Sequence, residues 1–203
     1  MIKVIIFDVD GVLLDNRNEV INVFKETAKR LGLRIPTVSE IRKTFGLPWE
    51  EMLIEIYGEL NENMKEVYIK TWREFENQMK IMKDSEYVLK SLKIRKAITT
   101  SKSKPSLRKQ IGNLMKFFEV IISKEDTQKH KPNPEPLLLA CKKLEIKPEE
   151  AVYIGDAIID YKTARNAGTE FIGFISGSAT EEEFRSLNAK FITSLKDLLR
   201  GFQ

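Results

Sequence analysis

The stretch Lys3-Val4-Ile5-Ile6-Phe7-Asp8-Val9-Asp10-Gly11 limits the possible folds of this chain more than any other. Val4 to Phe7 is an unbroken run of β-branched and aromatic residues with no turn former, the pattern of a parallel strand buried on both faces. The run ends in two acids that no core accepts unpaired. Side chains alternate along a strand, so Asp8 and Asp10 leave it on the same side, about 7 Å apart along the chain. Carboxylates that close raise each other's pKa unless a cation lies between them. A hard divalent ion such as Mg²⁺ resolves the conflict, because it favours oxygen ligands together with substrate phosphate. Gly11 then lets the backbone turn sharply where a ligand approaches.

Beyond Asp15-Asn16, either of which can cap a helix, Val20, Val23, Phe24, Ala28 and Leu31 recur at helical spacing until Gly32. Asp15 can equally serve as a supporting acid near Asp8. Further helices are expected over Ser39 to Phe45 and Trp49 to Gly58. A longer one carries the stripe Met64, Val67, Tyr68, Thr71, Trp72, Phe75 and Met79. Trp49, Trp72 and this stripe read as helical core, with the lining of a substrate pocket as the alternative for one of them, and no strand is expected between residues 16 and 79. From Asp84 the texture changes to strands alternating with helices. Strands are expected at Lys96–Thr100, Val120–Ser123, Ala151–Gly155, Glu170–Ile175 and Phe191–Thr193. Helices are expected at 85–92, 105–115, 136–144 and 159–167, and from Leu195, with Thr180 and Glu183 as a capping box. This alternation gives an α/β fold: a Rossmann-like parallel sheet with helices on both faces. Residues 1–15 and 84–203 form its core domain, and residues 16–83 an inserted α-helical cap domain on two linkers.

The 203 residues carry 34 Lys and Arg against 30 Asp and Glu, but the signs are mixed throughout, with no basic stripe interleaved with aromatics. Nucleic acid is therefore not an expected partner. No apolar run reaches 18 residues, so no membrane association is expected, and the start of the chain does not fit a signal peptide. The single cysteine, Cys141, lies in an apolar helical pattern as a small core residue and excludes an internal disulfide. A cytoplasmic protein, monomer or homodimer, is the expectation. Heavy Lys and Glu usage points to a thermophilic source.

Ligands of open α/β sheets bind beyond the carboxyl ends of the strands. Those ends carry Asp8 and Asp10, then Thr99-Thr100-Ser101-Lys102, then Lys129-His130-Lys131-Pro132, and finally Gly155-Asp156 with Asp160 following. Acids, hydroxyls and a lysine converging on one edge suit phosphoryl transfer, where the protein must position the group and neutralise its oxygens. Asp8 is the candidate nucleophile and Asp10 the general acid and base. Asp8, Asp156 and the backbone carbonyl of Asp10 would hold Mg²⁺, with Asp160 supporting the site. Thr100, Ser101, Gly11 and nearby N–H groups would bind the phosphoryl oxygens, and Lys131 would neutralise charge on Asp8 and the phosphate. His130 reads as a loop residue, since hard-metal sites use oxygen. The lysines around 102–109 and 124–131 read as a solvated face that could attract anions.

Asp8-x-Asp10-Gly11-Val12, Thr100 after an apolar strand, Lys131-Pro132-x-Pro134-Glu135-Pro136 and Gly155-Asp156-x-x-x-Asp160 resemble, in order, the four motifs of the haloacid dehalogenase-like hydrolase superfamily. The helical insert resembles that superfamily's α-helical cap, and Thr44-Phe45-Gly46-Leu47-Pro48 its substrate-specificity loop, which makes Gly46 a candidate substrate contact. The likeness is strongest to phosphoglycolate phosphatase-like and β-phosphoglucomutase-like members, including small pyrophosphatases. It departs at Ser101, where relatives usually carry Asn, at Val12, where Thr is common, and around Lys83-Asp84, where Pro-Gly is usual. The resemblance implies a Mg²⁺-dependent phosphatase of a small phosphorylated metabolite acting through an aspartyl-phosphate. A phosphomutase is the chemical alternative, and a non-catalytic phosphate-responsive binding module the alternative from another class.

Overall fold

In the computed structural model, which describes residues 1–202, the apolar run forms strand β1 (Val4–Phe7), every residue of which is buried. It lies inside a six-stranded sheet with β4 (Arg95–Thr99), β5 (Val120–Ile122), β6 (Ala151–Gly155), β7 (Glu170–Phe174) and β8 (Lys190–Ile192). The order is β5-β4-β1-β6-β7-β8 and every pairing is parallel. Parallel strands are covered on both faces, which is why β1 and β6 are apolar throughout rather than alternating. One face packs Ile5, Phe7, Val152 and Ile154 against α5 (Ser85–Ser91) and α6 (Lys104–Ile111). The other packs Val4, Ile6 and Tyr153 against α7 (Glu135–Lys143), α8 (Ile158–Ala167) and α9 (Glu181–Ser186). Cys141 is buried in that second layer. A 3-10 turn at Leu195–Asp197 and α10 (Leu198–Gly201) close the chain.

Four helices, α1 (Arg17–Arg30), α2 (Val38–Lys43), α3 (Trp49–Tyr57) and α4 (Glu62–Phe75), form the insert. They bury a separate cluster built on Val23, Phe24, Ile41, Leu53 and Tyr68. Thr37 caps α2 in a reciprocal box with Glu40, and Asn61 accepts from the Met64 N–H at the start of α4.

The linkers depart from expectation. Strand β2 (Leu14–Asp15) and strand β3 (Lys80–Ile81) pair antiparallel, so the insert leaves and returns through a two-stranded ribbon rather than two bare linkers. Asp15 lies exposed in that ribbon and neither caps α1 nor supports Asp8. Asn16 holds the position before α1 but makes no cap bond with its side chain, which is engaged elsewhere. The remaining elements lie within one or two residues of their expected bounds, except that α4 stops at Phe75 and passes through a 3-10 turn at Glu76–Gln78 to an extended Met79, and α6 tightens into a 3-10 turn at Gly112–Phe117. Among the described residues no helix is long and apolar enough to cross a membrane.

Candidate active site

The site stands at the carboxyl end of β1, in the crevice where the chain turns from β1 and β4 on one side to β6 on the other. The Asp8 N–H still bonds to the Ile154 carbonyl at 2.9 Å, so its side chain projects from the last sheet-bound position. The backbone then folds into a tight loop, with Gly11 donating to the Leu14 carbonyl at 2.8 Å. Gly11 adopts φ +72, and a Cβ there would stand 1.9 Å from an Asp156 carboxylate oxygen. Only glycine meets both demands.

Asp8, Asp156 and Asp160 are all buried and each offers an oxygen within 4.8 Å of the others. One cation stands among them: Lys131 Nζ lies 2.9 Å from Asp8 Oδ1 and 2.8 Å from Asp160 Oδ1. Fully ionised, three carboxylates against one ammonium would leave two negative charges uncompensated in a buried site. Burial accordingly drives the Asp8 carboxyl well above its ordinary range, helped by the neighbouring acids and opposed by Lys131. Burial and Asp160 push Asp156 up to about 7, although the Ser178 and Ser176 hydroxyls favour its ionised form. Burial pulls Lys131 down, but Asp160 and Asp8 more than reverse it and keep the lysine charged.

The acids have different partners. Asp160 receives Lys131 and the Tyr153 hydroxyl (3.1 Å) on one oxygen and the Ala157 N–H (3.1 Å) on the other, so its carboxylate is committed to orienting Lys131 and the start of α8. Asp156 Oδ2 accepts from Ser178 and from Ser176 (3.1 Å), both in the loop after β7. Asp10 lies outside the triad: Asn16 donates to its Oδ1 at 2.5 Å and Lys102 Nζ approaches the same oxygen at 2.7 Å. Thr100 commits its N–H to the Ile122 carbonyl, and its hydroxyl accepts the Lys102 N–H at 3.2 Å. Ser101 donates to the Gly46 carbonyl at 2.6 Å, a bond that fastens the insert to the sheet domain. His130 stays in the loop before Lys131, outside the acidic group.

A cavity of about 460 Å³ opens above Asp8 and Asp10, between sheet domain and insert. Residues of the expected helical core do pack in the insert's cluster, and several of them also wall the site. Trp49 and Trp72 are half-buried and line the cavity with Phe45, Leu47, Met52 and Tyr68. Of the lysines expected on a solvated face, Lys104, Lys109 and Lys129 are exposed, whereas Lys102 and Lys131 are buried. Lys102 is buried, bonded to Asp10 and 5.0 Å above the Trp72 ring; Lys124 pairs with Glu50 and Lys109 with Glu76 across the cavity mouth. Ser176 and Ser178 gave no signal in the sequence, and Asn16 and Lys102 read as a helix cap and a strand-end lysine; the fold makes all four partners of the acids.

A phosphatase-type crevice, with acids and a lysine at strand ends beneath a helical insert, is the class that fold and site define. The sequence model of the haloacid dehalogenase-like hydrolase family matches residues 5–174, and the chain belongs to that family. A Clostridium perfringens protein named as a candidate pyrophosphatase, PpaX, is 33% identical over 183 residues, covering 85% of this chain and 84% of that protein. A phosphoglycolate phosphatase of Aquifex aeolicus is 28% identical over 178 residues, covering 83% and 82%. The crystal structure of a haloacid dehalogenase-like hydrolase from Bacteroides fragilis superposes with a TM-score of 0.85 at 30% identity, covering 98% of this chain and 100% of that one. The protein is thus a phosphatase-class hydrolase.

Proposed function

We propose that this chain hydrolyses the phosphomonoester of a small metabolite through an aspartyl-phosphate on Asp8, with Mg²⁺ as cofactor. The observation that carries the reading is the buried Asp8, held by Lys131 at 2.9 Å beside Asp156 and open to the cavity, with Asp10 held next to it by Asn16 and Lys102. The Asp8 carboxylate forms a bond to phosphorus while the bond from phosphorus to the ester oxygen breaks, and Asp10 gives its proton to the departing alcohol. Water then attacks the same phosphorus, Asp10 takes its proton, and the bond to Asp8 breaks, releasing inorganic phosphate and restoring both acids. Lys131 stabilises charge on Asp8 and on the phosphoryl oxygens throughout.

The acid cluster fits a divalent ion: its uncompensated charge when fully ionised is two, its donors are hard oxygens, and Gly11 leaves open the space that a Cβ would fill against Asp156. Asp8, Asp156 and the Asp10 carbonyl would hold Mg²⁺, with Asp160 orienting Lys131. When bound, the ion supplies neutralisation of the phosphoryl oxygens and keeps Asp8 ionised. Residues 16–83 act as a cap, closing on substrate through Ser101–Gly46 and the Lys124–Glu50 and Lys109–Glu76 pairs. A cytoplasmic monomer or homodimer accords with a single buried cysteine and mixed surface charge. The names of the relatives favour hydrolysis over the mutase reading.

Asp8→Asn tests the assignment. Phosphate release from a substrate panel should need Mg²⁺, stop with EDTA and vanish in the variant while its circular dichroism stays native. Retained turnover in Asp8→Asn removes Asp8 as nucleophile.

A further inference from the structure

We infer that the substrate is a phosphomonoester whose alcohol carries a planar aromatic ring, an inference that rests on the phosphatase reading above. The floor of the cavity is ionic, and its cap side sets a row of aromatic rings beside Arg17, Arg73 and Glu76. Trp49 and Tyr68 stack with centroids 4.4 Å apart and planes within 5°, and Trp72 continues the row at 6.2 Å and 22° from Tyr68. The middle ring is buried, whereas the two outer rings are only half-buried and both line the cavity. Each outer ring packs partly on the insert's hydrophobic cluster and keeps part of its surface on the cavity, where a flat group can meet it. Trp72 is tied to the reacting end through Lys102, whose ammonium lies 2.7 Å from Asp10 and 5.0 Å from the ring centroid. An alcohol protonated by Asp10 therefore departs alongside an aromatic surface.

Size points the same way. The cavity, at about 460 Å³, lies within the range of roughly 300–1,000 Å³ that holds drug-sized ligands. Pyrophosphate or phosphoglycolate would occupy its ionic floor and leave the indoles, Phe45 and Met52 facing water. A flat ring attached to the phosphoryl group fills the remainder and stacks on the row. Stacking a ring on an aromatic side chain is worth roughly 5- to 150-fold in affinity.

Benzyl phosphate and ethyl phosphate, both esters of unactivated alcohols, isolate this term. With Mg²⁺ present, kcat/KM for the benzyl ester should exceed that for the ethyl ester by at least 5-fold. Trp72→Ala should collapse the ratio, and Trp72→Phe, which keeps a ring, should restore most of it. A second readout needs no turnover. The chain has two tryptophans, and both line this cavity, so benzylphosphonate should quench their fluorescence at lower concentration than ethylphosphonate shifts it. Equal kcat/KM for the two esters, or a ratio unchanged in Trp72→Ala, overturns the aromatic assignment and leaves the phosphatase reading standing. Phosphate release from neither ester, with benzylphosphonate still bound more tightly, overturns the phosphatase reading and supports the aromatic subsite.

Discussion

Replacing Asp156 with Asn should stabilise the metal-free protein while destroying its response to Mg²⁺. Asp156 is fully buried beside Asp8 and Asp160, and its carboxyl is pushed from 3.8 up to about 7. The folded state therefore keeps a proton that the unfolded chain has already lost between those two values. Stability must fall as pH rises through that window, by about 1.4 kcal/mol per pH unit, and level off above pH 7. The three-unit span sets an upper bound of about 4 kcal/mol on the cost of the ionised group at pH 8. Asn keeps the shape and still accepts from Ser176 and Ser178, yet carries no charge to bury. In a chain of this size 1 kcal/mol moves the melting midpoint by about 2–4 °C, so in EDTA the variant should melt roughly 5–15 °C above the parent at pH 8. At pH 4 the two should coincide. Mg²⁺ should raise the parent's midpoint in proportion to its occupancy and leave the variant where it was. Differential scanning fluorimetry across pH, with and without Mg²⁺, measures all four quantities. A variant that melts below the parent at pH 8, or a difference independent of pH, would refute the argument from buried charge.

Lys102→Met preserves the stem over Trp72 but removes the ammonium from Asp10. It should lower kcat by about 10- to 100-fold through a misplaced general acid, and an unchanged kcat would return Lys102 to the surface. Gly46→Ala places a Cβ at φ +96 and 2.2 Å from Ile159, so backbone strain of about 1–3 kcal/mol should appear as a lower melting midpoint and a higher KM, both read in one preparation. Leu53→Ala, deep in the insert's own cluster, should cost about 2–5 kcal/mol, measured by denaturant unfolding; a loss below 1 kcal/mol would mean that the insert lacks a core of its own.

The sheet was legible because its strands are buried on both faces, and burial leaves a local trace. Val4–Phe7 and Ala151–Gly155 are unbroken apolar runs, and the helices between them repeat every three to four residues and stop at Gly32, Gly58 and Gly168. The acids Asp8 and Asp156 were visible for the converse reason, since no strand end in a core tolerates them without a partner, and Asp160 was visible by its spacing from Asp156. Four motifs in this order along the chain carry the resemblance to the family whose model matches residues 5–174.

The ribbon between Leu14–Asp15 and Lys80–Ile81 left no trace, because two residues per strand are too few to show a period. Lys102 and Asn16 resemble any solvated lysine or helix cap in sequence, and become partners of Asp10 only when the fold closes separations of 92 and 6 residues. Trp49, Tyr68 and Trp72 carried the spacing of a core stripe, and that spacing was correct; the sequence could not say that the far side of the row opens over Asp10. Local periodicity records which face of an element avoids water. Whether that face meets other side chains or a cavity depends on how the insert packs on the sheet domain, and that is decided only by contacts between residues distant in the chain.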